Sequence, residues 1–168
     1  MNQRDVSQVG GKIVCVLDGP LGKRVYKTHN IITNAGDIFY AQRMAGETPD
    51  NAFANLVLGS SAVPTPSKSS DYDDITPIAD TNKAPSAGYP KTDDDDPDNT
   101  DVDVNVVTHK YYYAKADFNA ASITEGVITI ATPEAGSPVL THFAFASIFE
   151  KTEDDTLTVF INHVMLGV

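Results

Sequence analysis

The stretch VLTHFAFASIF, residues 139–149, decides the fold class. Phe143, Phe145 and Phe149 share one parity, and Ala144, Ala146 and Ile148 share the other. A period of two with apolar residues on both parities is the signature of a strand covered on both faces, hence a central strand. EKTEDD, residues 150–155, follows as a charged turn. TLTVFINHVML, residues 156–166, then returns with Leu157, Val159 and Ile161 on one parity and Phe160 and Val164 on the other.

The same period recurs upstream. Val102, Val104 and Val106 alternate with polar residues, and Val107, Tyr111 and Tyr113 then take the opposite parity. That switch predicts a bulge near Val106 and Val107, or a strand passing between sheets. Residues 123–131 alternate weakly. KIVCVL, residues 12–17, reads as a buried strand, and DGPLG, residues 18–22, as a hairpin turn. Residues 23–30 form its partner, and Val25 alternates there with basic and polar neighbours, which suggests one wet face. Residues 53–58 make a further strand, stopped by Gly59. Between these strands lies one helix. Thr33 or Asn34 caps it, Asp37 suits its positive end, and Gly46 ends it. Ala35, Ile38, Phe39 and Gln42 are its predicted inner face.

Seven or eight strands predict a mainly β chain, an antiparallel β-sandwich or jelly-roll-like fold with one short helix and a long acidic loop. Its expected layout is a flexible arm at residues 1–11 and a single domain at residues 12–168. A surface excursion spans about residues 60–101. That excursion is rich in Pro, Ser and Asp and has no period, and its apolar pieces at residues 75–78 and 87–89 are placed to pin it at intervals.

The chain has 168 residues and a formal charge of −11. Residues 71–103 hold eleven of the 23 acidic residues and two lysines, which leaves twelve acids against ten bases elsewhere. The acidity therefore belongs to one segment. It argues against broad phosphate-backbone binding, so no nucleic-acid partner is expected. No run of about 18 apolar residues exists, so no transmembrane helix is expected. Residues 1–11 lack a signal-peptide core, which makes the cytoplasm the expected site of synthesis. The lone Cys15 sits in an apolar strand and reads as a small buried hydrophobe.

Little in the chain reads as chemistry. Gly19, Gly22 and Lys23 resemble a phosphate loop superficially, but Leu17 occupies the upstream glycine position and no Ser or Thr follows the lysine. His29, His109, His142 and His163 are scattered singly, without zinc spacing. His142 and His163 fall in apolar strands, as core or interface residues. No nucleophile elbow is present. Asp94, Asp96 and Asp98 are the candidate ligands for a hard cation, yet Asn99 and Asn105 stand where an EF-hand needs Gly and Glu. A solvated acidic loop is the expected reading, with no metal, no cofactor and no catalytic residue. Tyr111, Tyr112 and Tyr113, flanked by Lys110 and Lys115, are the interface candidates, covering the core edge or a subunit contact. Stacking on sugar rings or bases is the other use of such residues.

A further signal lies in residues 29–76. HNIITNAG (29–36) opens the helix, NLVLGSS (55–61) closes the following strand, and a Pro/Ser loop leads to Asp73, Asp74 and Ile75. This order resembles a segment of small bacteriophage virion structural proteins, among them head decoration (cement) proteins and tail or neck components. The resemblance covers residues 25–80. It departs at Ile75, where such proteins carry Leu, and at the acidic insertion that follows. It implies a non-enzymatic capsid decoration protein on the outer surface of the head, made in the bacterial host cytoplasm. The implied partners are the major capsid protein and further copies of itself as a homotrimer. The alternative it implies is a tail or neck component, including a glycan-binding adhesin.

Overall fold

The computed structural model describes residues 10–92, Pro97 and residues 105–164. The Asp94, Asp96 and Asp98 reading, residues 1–9 of the expected arm, and Val102 and Val104 lie outside these residues. The elements in chain order are β1 (Gly10–Gly19), β2 (Gly22–Ile32), α1 (Asn34–Met44), β3 (Asn55–Gly59), β4 (Val106–Tyr113), β5 (Ala120–Thr129), β6 (Val139–Lys151) and β7 (Thr156–Val164). A single 3₁₀ turn (Tyr72–Asp74) sits between β3 and β4.

The seven strands form one antiparallel sheet in the order β3-β5-β6-β2-β1-β7-β4, nearly closed into a barrel. The mainly β antiparallel architecture agrees with the alternation in the sequence. Its two layers are opposite walls of one curled sheet, packed on a shared core that includes Ile13, Leu17, Leu56, Tyr111, Ile128, Phe143 and Leu157. No described helix is long and apolar enough to cross a membrane.

β1 and β2 form the expected hairpin, with Gly19 paired to Gly22, and Gly22 takes φ +84°. This is the fate of the phosphate-loop lookalike. Gly10 and Gly11, read as the end of the arm, instead open β1. A Cβ at Gly11 would sit 1.8 Å from Asn30 Oδ1 and 2.5 Å from the Asn162 carbonyl, so the sheet packs too tightly there for any side chain.

Thr33 caps α1, its hydroxyl accepting from the Gly36 amide at 3.1 Å and donating to the Val139 carbonyl. Gly46 ends the helix at φ +75° with its amide on the Arg43 carbonyl. The inner face is the expected one at Ala35 and Phe39, which pack on the core, but Ile38 is 54% exposed and Gly36 and Tyr40 turn inward as well. A Cβ at Gly36 would lie 2.2 Å from the Leu140 carbonyl. That close approach fixes the rotation of the helix on β6.

β4 carries no bulge at Val106 and Val107. Its register against β7 runs unbroken from Val106–Val164 to Tyr113–Leu157. Both parities are apolar there because both faces hold buried residues, Val106 and Thr108 on one and His109, Tyr111 and Tyr113 on the other. The irregularity lies between β5 and β6. There Ile123 pairs with Phe149 while Glu125 pairs with Ala144, so β6 spends extra residues in between. β6 is buried on both faces at residues 139–143 only; in its second half Phe149 and Lys151 stay buried while the other face is open, with Ile148 65% exposed.

The described part of the aperiodic excursion, up to residue 92, forms a strap over the two outer edges of the sheet. Leu56 and Lys83 exchange backbone hydrogen bonds of 2.9 Å, and the Ile78 amide donates to the Leu58 carbonyl at 2.9 Å, which covers the edge of β3. The Ser86 amide then donates to Lys110 at 2.7 Å, and Lys91 exchanges bonds of 3.0 and 2.8 Å with Thr108, which covers the edge of β4. Satisfied edges do not recruit stray strands.

Candidate functional site

The three tyrosines read as interface candidates separate by parity. Tyr111 and Tyr113 are fully buried, and their hydroxyls donate to the Ala54 and Thr81 carbonyls at 2.8 and 2.7 Å. They are crossbeams between β4 and the β3 side of the barrel. Burial raises both phenols well above their usual range. Tyr112, on the opposite face, is 46% exposed. It lines an open groove of about 550 Å³ with Tyr89, Phe160, Lys110 and Lys23. The Lys110 ammonium lies 5.5 Å from the Tyr89 ring and 5.3 Å from the Phe160 ring. This surface offers aromatic faces and positive charge together.

The four histidines also divide. His29 is exposed, whereas His109, His142 and His163 are buried. Cys15 is free and buried, its thiol pushed up by desolvation.

Sequence spacing missed one cluster, Ser70, His142 and Glu125. His142 Nδ1 stands 2.9 Å from Ser70 Oγ, and its Nε2 stands 3.0 Å from Glu125 Oε2. The other carboxylate oxygen accepts from the Ser61 amide at 3.1 Å and the Thr76 amide at 3.4 Å. Burial alone would raise the Glu125 carboxyl, but bonds from His142 and Ser61 outweigh it and hold the group below its ordinary range. The order serine, histidine, carboxylate matches a nucleophile triad, but the surroundings do not favour attack. His142 and Glu125 are fully shut off and Ser70 is 4% exposed. Ser70 rides on the strap that covers the pair, so opening the strap would carry the serine away from its histidine. The cluster latches residues 61–76 onto β5 and β6.

The exposed apolar residues lead to a different place. Among the described residues, β2 and β6 pair only at Asn30–Phe143, Ile31–His142 and Ile32–Thr141. Beyond Thr28, whose hydroxyl donates to the Ala144 carbonyl at 2.6 Å, the two strands part. Rings plug the gap from inside: Tyr26 stacks on Phe149 at 4.2 Å, and Phe145 meets Phe149 edge-on at 5.0 Å. Outside it, Val25 is 46% exposed, Ile148 is 65% exposed, and Leu21 at the hairpin tip is 82% exposed. Because Tyr26 and Phe149 point inward, their neighbours Val25 and Ile148 face outward beside the seam. The sheet thus carries an open seam flanked by apolar side chains, held shut by aromatic stacking instead of backbone hydrogen bonds. The alternation at Val25 suggests that its polar neighbours form the wet face, yet Val25 is itself exposed. The seam depends on a register shift that no local pattern encodes.

Compared with known proteins, the chain matches no family model, no curated protein and no solved structure.

Proposed function

We propose that this chain is a bacteriophage virion structural protein, a capsid decoration or cement protein that acts by binding and not by catalysis. It would sit on the outer surface of the head as a homotrimer, against the major capsid protein, and stabilise contacts between coat subunits. The seam between β2 and β6 carries this reading. Parted strands flanked by Val25, Ile148 and Leu21 are a site for a neighbouring chain to add backbone bonds and bury apolar area. Burial of that kind stabilises by roughly 25 cal/mol per Å². The motifs in residues 25–80 supply the viral part of the proposal, and the trimer follows from analogy with decoration proteins. Converting Val25 and Ile148 to Asp tests it. The double variant should stay folded, sediment as a monomer and lose occupancy on capsids. A wild-type chain that is monomeric and ignores capsids would reject the reading.

The Tyr112 groove favours a second reading, a tail or neck component that binds glycans. Tyr112, Tyr89 and Phe160 beside Lys110 suit a sugar ring bearing negative charge. A glycan array separates the two readings: binding lost in Tyr112→Ala supports the adhesin, and a blank array supports the cement protein.

A further inference from the structure

A pocket of about 470 Å³ opens between α1 and β4, within the size range of roughly 300–1,000 Å³ typical of small-molecule sites. Its walls are mainly apolar: Phe39 and Phe53, which meet edge-on at 5.5 Å, together with Val107, Pro90 and the exposed Met44. His109 also lines it. That imidazole is 3% exposed, and neither ring nitrogen has a hydrogen-bond partner. Behind it, at 5.3 Å between ring centroids, lies His163. His163 Nδ1 is 2.5 Å from the Tyr40 hydroxyl, while its Nε2 also lacks a partner. Burial pushes His109 down to about 4 and His163 well below its usual value, so both rings are neutral at neutral pH. Leaving buried polar nitrogens unpaired is costly, and a fold normally satisfies them. Here they cluster beside a cavity.

The charge of a suitable ligand follows from the surroundings. The carbonyl end of α1 opposes an anion. Arg43 at the mouth, its guanidinium 5.6 Å from the Phe39 ring, opposes a cation. What remains is a flat, neutral ring with one hydrogen-bonding group. We propose that this pocket binds a small neutral aromatic alcohol of the phenol class, its ring against Phe39 and Phe53 and its hydroxyl on the imidazole of His109. A small turn of that imidazole sets a nitrogen toward the hydroxyl, and the bond satisfies an atom the free protein leaves unpaired.

The test titrates the full chain with p-cresol and with toluene, which has the same ring and methyl group but no hydroxyl. Calorimetry gives the affinity, and ¹⁵N shifts report on the histidine rings. p-Cresol should bind one to one and at least about tenfold tighter than toluene. It should move the His109 ring nitrogens, which toluene leaves in place. 4-Methylbenzoate and 4-methylbenzylamine should bind more weakly than p-cresol. In His109→Phe the two neutral rings should bind within about twofold of each other. Met44→Trp, at an exposed position, should block the mouth and abolish both. Equal binding of p-cresol and toluene, no uptake of either, or His109 nitrogens unmoved by p-cresol would overturn the proposal. So would a cresol preference that survives His109→Phe.

Discussion

The two ends of β7 solve the problem of buried polarity in opposite ways. At the Asp155 end the burial is ionic and well satisfied. Lys151 is 1% exposed, and its ammonium donates to the carbonyls of Lys115, Phe118 and Thr152 at 3.0, 3.0 and 3.2 Å. Asp155 accepts from the Thr152 amide and hydroxyl at 2.9 and 2.7 Å and from Arg24 at 3.1 Å, with Arg24 Nε the one atom left over. About 27 Å away along the strand, at the His163 end, the buried groups are neutral and three ring nitrogens have no partner. A polar cluster with nearly every bond made holds a fold together. One that lacks partners beside a cavity is better explained by something that arrives later.

The sharpest way to break the comparison is Lys151→Met. It strands the buried Phe118 carbonyl and two part-buried ones, of Lys115 and Thr152, and should destabilise the chain by about 4 kcal/mol in urea unfolding. A loss under about 1 kcal/mol would mean that the ionic end is no more structural than the other.

Acid should separate the two ends. An unfolded chain protonates His109 near 6.5, but the folded chain resists until about 4. Its stability contribution is therefore whole above pH 6.5 and declines as pH falls toward 4. The loss amounts to about 3 kcal/mol from this residue. His163 adds to the same fall, since burial and the neighbouring His109 lower it too. Asp155 and Glu125 act lower on the scale. Burial would raise both, yet their hydrogen bonds and neighbouring positive groups hold both below the ordinary values of 3.8 and 4.5. Their contributions survive until pH drops beneath those values. Urea midpoints between pH 7 and 3 should show two successive losses, and His109→Phe should flatten the upper one.

Smaller effects refine the picture. Ser70→Ala removes one anchor of the strap, and its cost of about 1 kcal/mol should appear as faster amide exchange at Ser61 and Thr76. His109→Phe at pH 7 should raise stability by about 1 kcal/mol, because two unpaired nitrogens give way to carbon. A destabilised variant would show that the imidazole is already satisfied in solution.

Much of the barrel was legible because its strands alternate. Residues 12–17 and 156–164 each place their inward side chains on one parity, and turn chemistry between Asp18 and Gly22 set the first hairpin. Local rules also located the Thr33 cap and the Gly46 stop. The expected inner face of α1 was right at Ala35 and Phe39 but missed Gly36, which contributes no hydrophobicity, only the absence of a Cβ against Leu140. The strap was invisible to periodicity since its bonds to β3 and β4 are made by backbone atoms at residues 78, 83, 86 and 91. The Ser70, His142 and Glu125 cluster joins residues up to 72 positions apart. The facing of His109 and His163 needed the β4–β7 register; sequence neighbours place His142 and His163 in apolar strands and do not single out His109.

β1 lies between β2 and β7, paired to both over most of its length. A ribosome delivers β2 within seconds of β1, but the other neighbour only after residue 164 has been made. Until then one side of β1 must wait with its amides and carbonyls in water, and Ile13, Cys15 and Leu17 have half their eventual surroundings. Barrel closure thus waits for β7, slow by virtue of that long sequence separation, and a ribosome stalled before β7 would hold a product prone to aggregate.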